Sequence, residues 1–296
     1  MQAGSDAVYS ILRPERLTAI VDIGANPIDR ETAYKPMLTK RLCTLVGFEP
    51  QAEGFASLNA RKSDLETYLP YAVGDGNPAI LKLCQAPGMS SLFTPNQDVL
   101  KCFPLFEHFG RVVSEVPVET RTFDSITEVG DVDYLKIDVQ GSELSIFRNG
   151  TARLSKAVAI QTEVSLVPLY KNQPVMGDID LQLRSLGFVP HMFAEINKRM
   201  ILPLHYANNL YAGMNQVMEA DIVYVRDFTK PDKMSSEQLK HLAMVAHHCY
   251  ASYDLAANCI HNLASRGAIA NEALGQYMAL VGAPPQQAAA PVAATG

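Results

Sequence analysis

The chain has no CxxC pair, no long uninterrupted apolar run and no excess of positive charge. Its five cysteines (Cys43, Cys84, Cys102, Cys249, Cys259) are odd in number and scattered, which excludes a disulfide framework and suits reduced thiols in a cytoplasmic protein. Without an apolar stretch long enough for a bilayer, no membrane span is expected, and the N-terminus shows no basic-then-apolar leader. The formal net charge is -6, and the compact basic pairs are Arg61-Lys62 and Lys198-Arg199. Phosphate binding needs a basic face, so nucleic acid is not an expected partner. No internal repeat is visible.

What is present is a globular core. Hydrophobic residues are 48% of 296, which suffices for one large α/β domain with an addition. The organising stretch is Ile20-Val21-Asp22-Ile23-Gly24-Ala25-Asn26. An apolar run that ends in Asp, then Gly, reads as a buried parallel strand turning tightly into a helix. Gly24 gives the turn its backbone freedom and leaves room for a ligand. Asp22 stands at the carboxyl end of the strand, where open α/β sheets bind ligands.

Further strands are expected at Leu17 to Ile23, Leu42 to Phe48, Thr67 to Val73, Ala79 to Cys84, Arg111 to Thr122, Val132 to Val139, Ala157 to Val164, Phe188 to Phe193 and Asp221 to Asp227. Helices are expected from Pro27 to about Lys40, around Ala52 to Arg61, from Gly141 through Phe147 and over Ile179 to Leu186. Residues 94 to 111 read as an inserted loop or helix. The alternation predicts an α/β fold with a mainly parallel sheet. Residues 1–16 form a lead-in and 17–230 the main domain. Residues 231–282 form a C-terminal helical region opened by Ser235-Ser236-Glu237, and the Ala-, Pro- and Gln-rich 283–296 a disordered tail. The C-terminal helices are also the candidate surface for a homo-oligomer. Their histidines and cysteines match no zinc spacing.

Four strand ends carry acids: Asp22, Glu49, Asp138 and Glu163. In a parallel sheet these ends share one edge, so the acids converge. Glu49 follows Gly24 by half a βαβ unit, which suits a carboxylate that binds ribose hydroxyls. A nicotinamide cofactor is disfavoured. The first turn lacks G-x-G-x-x-G, Pro27 removes a backbone donor, and Asp29 adds negative charge where a pyrophosphate would sit. S-adenosylmethionine offers a ribose, an amine and a sulfonium, and carries no phosphate.

These pieces resemble the FkbM-type S-adenosylmethionine-dependent methyltransferases. The matching stretches are Val21 to Asn26, Gly47-Phe48-Glu49-Pro50, Ala72-Val73-Gly74-Asp75, the Ser90-Ser91-Leu92 loop, and Val118 to Ile126. Asp133 to Glu143 (DYLKIDVQGSE), Glu163 with Pro168-Leu169-Tyr170, and Gly187-Phe188 complete them. The resemblance spans roughly residues 17 to 228. It implies a class I methyltransferase, Rossmann-like sheet of seven strands whose last is antiparallel, with the helical appendage after it. It implies a cofactor pocket from Asp22, Gly24, Asn26, Glu49 and Asp138, with backbone near Ala72 and Val73 holding the adenine. It further implies methyl transfer to a hydroxyl of a sugar, glycan or glycosylated metabolite.

A hydroxyl acceptor needs a base, and Asp138, Glu163 and His191 are the candidates. Lys136 shares the sheet face of Asp138 and is expected to pair with an acid. Glu163, Lys136 and Tyr170 are the candidate acceptor contacts. The competing readings are an N-methyltransferase on a small molecule, a nicotinamide-dependent oxidoreductase, and a non-catalytic cofactor-binding module.

Overall fold

Thr18–Ile23 (β1) is buried on both faces and pairs in parallel with two neighbours, Cys43–Phe48 (β2) and a later strand, so its near-continuous apolar character is that of a central strand. The structure, a computed structural model, describes residues 6–25, 31–206 and 208–282. Asn26, Pro27, Asp29 and the tail at 283–296 lie outside the described residues. The other strands are Glu66–Leu69 (β3), Ala72–Val73 (β4), Pro78–Cys84 (β5), Val112–Arg121 (β6), Tyr134–Ile137 (β7), Ala159–Ser165 (β8), Phe188–Arg199 (β9) and Gln216–Arg226 (β10). The helices are Ala7–Leu12 (α1), Lys35–Thr39 (α2), Ala52–Arg61 (α3), Gln97–Leu100 (α4), Phe106–Phe109 (α5), Glu143–Arg148 (α6), Thr151–Leu154 (α7), Met176–Ser185 (α8), Ser236–Tyr250 (α9), Tyr253–Ser265 (α10) and Ala273–Val281 (α11).

Seven strands form the main sheet in the order β3-β2-β1-β7-β8-β10-β9. β10, the last in sequence, runs antiparallel to both β8 and β9, as the sheet expected from the sequence requires. The chain order reverses between β1 and β7, which places a ligand crevice at the carboxyl ends of those strands.

The expected strand over Thr67 to Val73 is two strands. Pro70 has no N–H for a ladder, and the chain breaks there. β3 stays in the main sheet, while β4 leaves it for a three-stranded sheet with β6 and β5. Of the helix expected up to Lys40, α2 holds five residues and has Pro36 in its first turn. Residues 94–111 fold into the two short helices α4 and α5.

Two apolar layers cover the sheet. On one face Val21, Ile23, Leu135 and Ile137 meet Ile146 and Phe147 of α6 and Ile179 and Leu183 of α8. On the other, Ile20, Leu45, Tyr134 and Val223 meet Leu12 of α1, Met37 of α2, Leu242 of α9 and Ile260 of α10. Ser235 caps α9 through a reciprocal pair with Gln238, so the expected helix start is real. Every residue of α9 from Leu239 to Ala246 is buried. The C-terminal helices therefore form one of the sheet's two covering layers, and their apolar faces lie inside the chain. A third cluster joins Met89, Leu100, Phe103 and Phe106 of the 85–111 insertion to Leu169, Tyr170 and Met218, building a cap at the carboxyl edge of the sheet.

Candidate active site

The ends of β1, β2 and β7 are pinned together by backbone hydrogen bonds. Gly24 and Ala25 donate to the Phe48 carbonyl at 3.2 and 3.0 Å, and Asp138 donates to the Ile23 carbonyl at 3.0 Å. Gly24 takes a φ of +85°, and a Cβ there would stand 2.1 Å from the Asp138 carbonyl oxygen. Both facts demand glycine.

Beside this turn lies a cleft lined by Gly24, Glu49, Ala72, Val73 and Asp138. Five of the expected cofactor residues thus share one cavity. Tyr71, Gln140 and the Ser90–Leu92 loop complete its walls. Glu49 is buried, and its Oε1 accepts from the Gln51 N–H at 2.7 Å. Among the described residues no hydrogen bond reaches its other oxygen. Burial pushes the carboxyl up, and the Gln51 donor works against that shift.

Asp22 does not line this cleft. It is 1% exposed and points into the opposite layer, where the Tyr34 hydroxyl donates to Oδ2 at 2.5 Å and Lys136 stands 3.4 Å from Oδ1. Lys136 is therefore held by Asp22 rather than presented to an acceptor. Burial pulls its ammonium down, but the carboxylates of Asp22, Asp138 and Asp221 outweigh this and hold it up. Asn26 lies outside the described residues.

The second group of acids sits next to the cleft on the same sheet edge. Glu163 on β8 lies opposite Asp221 on β10 in register, and Glu219 follows two residues before Asp221 on the same face. Burial raises the Glu163 carboxyl well above the usual range, helped by the charges of Glu219, Asp138, Glu143 and Asp221. Burial likewise pushes Glu219 up to about 7, with Asp138 adding to it. Neighbouring carboxylates buried together oppose one another's ionisation, and Glu163, Glu219 and Asp221 are all pushed upward. Gln140 joins the two regions: its Nε2 donates to Asp138 Oδ1 at 2.8 Å and faces the Glu163 oxygens at 3.4 and 3.5 Å.

Two expectations need correction. His191 stands near the start of β9, which is level with the amino end of β8, and its Nε2 contacts Ser252 Oγ at 2.7 Å between α9 and α10. It packs the C-terminal layer and is not brought to the acids. Tyr170, expected to contact the acceptor, does not line the cleft. It is buried in the cap, where its hydroxyl reaches the Met89 carbonyl at 3.1 Å and Gln140 Oε1 at 3.2 Å.

Sequence reasoning missed Gln140, Tyr34, Glu219 and Asp221 as members of these networks. Gln140 sat inside the DYLKIDVQGSE stretch already singled out. Asp221 and Glu219 were findable by period-two alternation along β10, once β10 was paired with β8.

Among the described residues no helix is long and apolar enough to cross a membrane. No curated protein matches the chain. Among solved structures it is similar to a magnesium protoporphyrin IX methyltransferase from Synechocystis PCC 6803 with bound S-adenosylmethionine, at 9% identity over 76% of this chain and 78% of that one, TM-score 0.37. It is similar to a putative S-adenosylmethionine-dependent methyltransferase from Listeria monocytogenes, at 7% identity over 76% and 97%, TM-score 0.40. A precorrin-6y C5,15-methyltransferase from Geobacter metallireducens is similar at 11% identity over 74% and 85%, TM-score 0.35. The model of the methyltransferase FkbM domain matches residues 22–190, more than half of the chain. The chain belongs to the FkbM methyltransferase family, whose cofactor is S-adenosylmethionine.

Proposed function

We propose that this methyltransferase moves the methyl group of S-adenosylmethionine to a hydroxyl oxygen of a sugar, glycan or glycosylated metabolite. The observation that carries the cofactor site is Glu49. A buried carboxylate with one oxygen free of partners, facing a cleft beside Gly24, fits a pair of ribose hydroxyls. Backbone at Ala72 and Val73 lines the same cleft and takes the adenine. The donor supplies the activated methyl group. The S–CH3 bond breaks, the O–CH3 bond forms, the bonding pair stays on sulfur, and the hydroxyl proton passes to a carboxylate.

Asp138 is the first candidate for that base, because it lines the cleft at the end of β7. Its rival role is to hold the methionine amine. Glu163 stands behind it and serves the acceptor hydroxyls. The acidic surroundings favour an oxygen acceptor over an amine, because neighbouring carboxylates stabilise an ammonium, which has no lone pair to attack with. The five cysteines are free thiols, which fits a cytoplasmic enzyme.

The test is calorimetric titration with S-adenosylmethionine, S-adenosylhomocysteine and NADH in parallel, followed by a screen of glycans and glycosides with labelled methyl donor. Binding of both sulfur compounds and label in an ether of a sugar hydroxyl is the expected result. Label found only on nitrogen would overturn the acceptor class.

A further inference from the structure

Gln140 stands between the cleft and the acids behind it. It follows β7 with a φ of +54°, a left-handed backbone that favours glycine, although a glycine, Gly141, comes next with its own positive φ. A chain that needed only to turn here could have used glycine at both positions. Its backbone carbonyl accepts from Ser91 Oγ at 2.6 Å. Its side-chain Nε2 donates to Asp138 and faces Glu163, and its Oε1 lies 3.2 Å from the Tyr170 hydroxyl. An amide has donors on one side and an acceptor on the other. The single Tyr170 hydroxyl proton is shared between that oxygen and the Met89 carbonyl at 3.1 Å, and its contact with Oε1 favours the amide orientation that turns Nε2 toward the acids.

We infer that Gln140 is a positioning residue whose amide, locked by Tyr170, sets the spacing of Asp138 and Glu163 so that Asp138 faces the cleft and Glu163 stays behind it. This rests on the methyl-transfer reading and deepens it by naming what orients the two acids. Neither strand does so alone, since Asp138 lies one residue beyond β7 and is only partly buried. The charged groups around the pair are Glu143 at the start of α6, Glu219 and Asp221 on β10, Lys136 on β7, and Arg199 on β9 acting on Glu219. A donor N–H between two carboxyls in such company keeps them from closing on each other around a shared proton.

The experiment compares wild type, Gln140→Glu and Gln140→Leu, each checked for an unchanged melting curve. The probe is S-adenosylhomocysteine, which keeps the ribose and the amine, titrated calorimetrically at about pH 6 and about pH 8, on either side of the value of about 7 to which burial pushes Glu219. Gln140→Glu keeps the shape but puts a third carboxyl where the donor was. Its affinity is expected to fall at least about tenfold at the higher pH and to recover at the lower, where a proton restores a donor. Gln140→Leu cannot recover and loses affinity equally at both. Equal losses for the two variants at both pH values, as from a merely structural residue, would overturn the inference, and so would wild-type affinity in Gln140→Glu at the higher pH.

A second measurement needs no variant to fold. The side-chain amide signals of Gln140 in the nitrogen-15 spectrum of wild-type protein are expected to shift as the neighbouring carboxyls titrate. Signals that behave as those of a free surface glutamine would refute the lock. A wild-type protein that binds no S-adenosylhomocysteine is a different result, and overturns the cofactor reading together with this one.

Discussion

The Tyr34 hydroxyl donates to Asp22 Oδ2 over 2.5 Å, on the face of the sheet away from the cleft. The acid at the end of the first strand is thereby a structural anchor, shared between a phenol of the α2 layer and the Lys136 ammonium. Asp22→Ala leaves that ammonium, whose side chain is 18% exposed, without its nearest partner. A loss of about 3 kcal/mol in stability is expected, since breaking a buried pair strands a charge. Urea unfolding checks this. A midpoint within error of wild type would return Asp22 to the list of cofactor contacts.

Glu49 is where the cofactor's ribose is expected. Glu49→Gln should keep the fold and weaken S-adenosylhomocysteine by at least about tenfold, the equivalent of one charge-assisted hydrogen bond. Calorimetry reads this directly, and undiminished affinity removes Glu49 from the site.

His191 serves as a control. His191→Ala removes one contact to Ser252 and should cost about 1 kcal/mol of stability while leaving cofactor affinity unchanged. A drop in affinity without a drop in melting temperature would bring this histidine back to the chemistry.

Stability should also depend on pH through Glu143. This carboxyl is buried and accepts from the Val139 and Gly141 N–H groups at 2.9 and 3.2 Å. Burial pushes it from 4.5 up to about 7, against those two donors. Between these values the folded chain holds a proton that the unfolded chain has released. Its contribution is therefore full below the lower value and is lost as pH rises through the upper one, at up to about 1.4 kcal/mol per pH unit. Glu143→Gln keeps a carbonyl oxygen for the same donors, and the slope of urea stability over this window should flatten by about that amount. A variant with the wild-type slope would be evidence that Glu143 is ionised in the folded protein.

The sheet was legible because its strands are short apolar runs that end in acids or glycine. β1, β2, β7 and β8 were found within two residues of their ends for this reason. That Gly24, Glu49 and Asp138 meet at one cleft was legible too, since they are strand-end residues whose position follows from the strand itself. What was not legible depends on partners distant in sequence. Nothing near Asp22 announces Tyr34, because the contact joins a strand residue to the start of a helix rather than two strand neighbours. Tyr170 reads as an acceptor contact, and its burial shows only once the 85–111 insertion packs over it. His191 follows Pro190 at a strand start, and only the return of the C-terminal helices shows that it meets Ser252.

That return has a practical consequence. The stretch that carries the family's sequence features stops near residue 190, yet Ile20, Tyr134 and Val223 lie beneath helices from 236 onward. Glu237 accepts from the Glu15 backbone and His241 contacts Thr18, so the two ends of the described chain close over the sheet together. A fragment cut at 230 would expose a broad oily surface to water and is expected to aggregate. The smallest piece of this enzyme able to fold alone is thus considerably longer than the piece that does its chemistry.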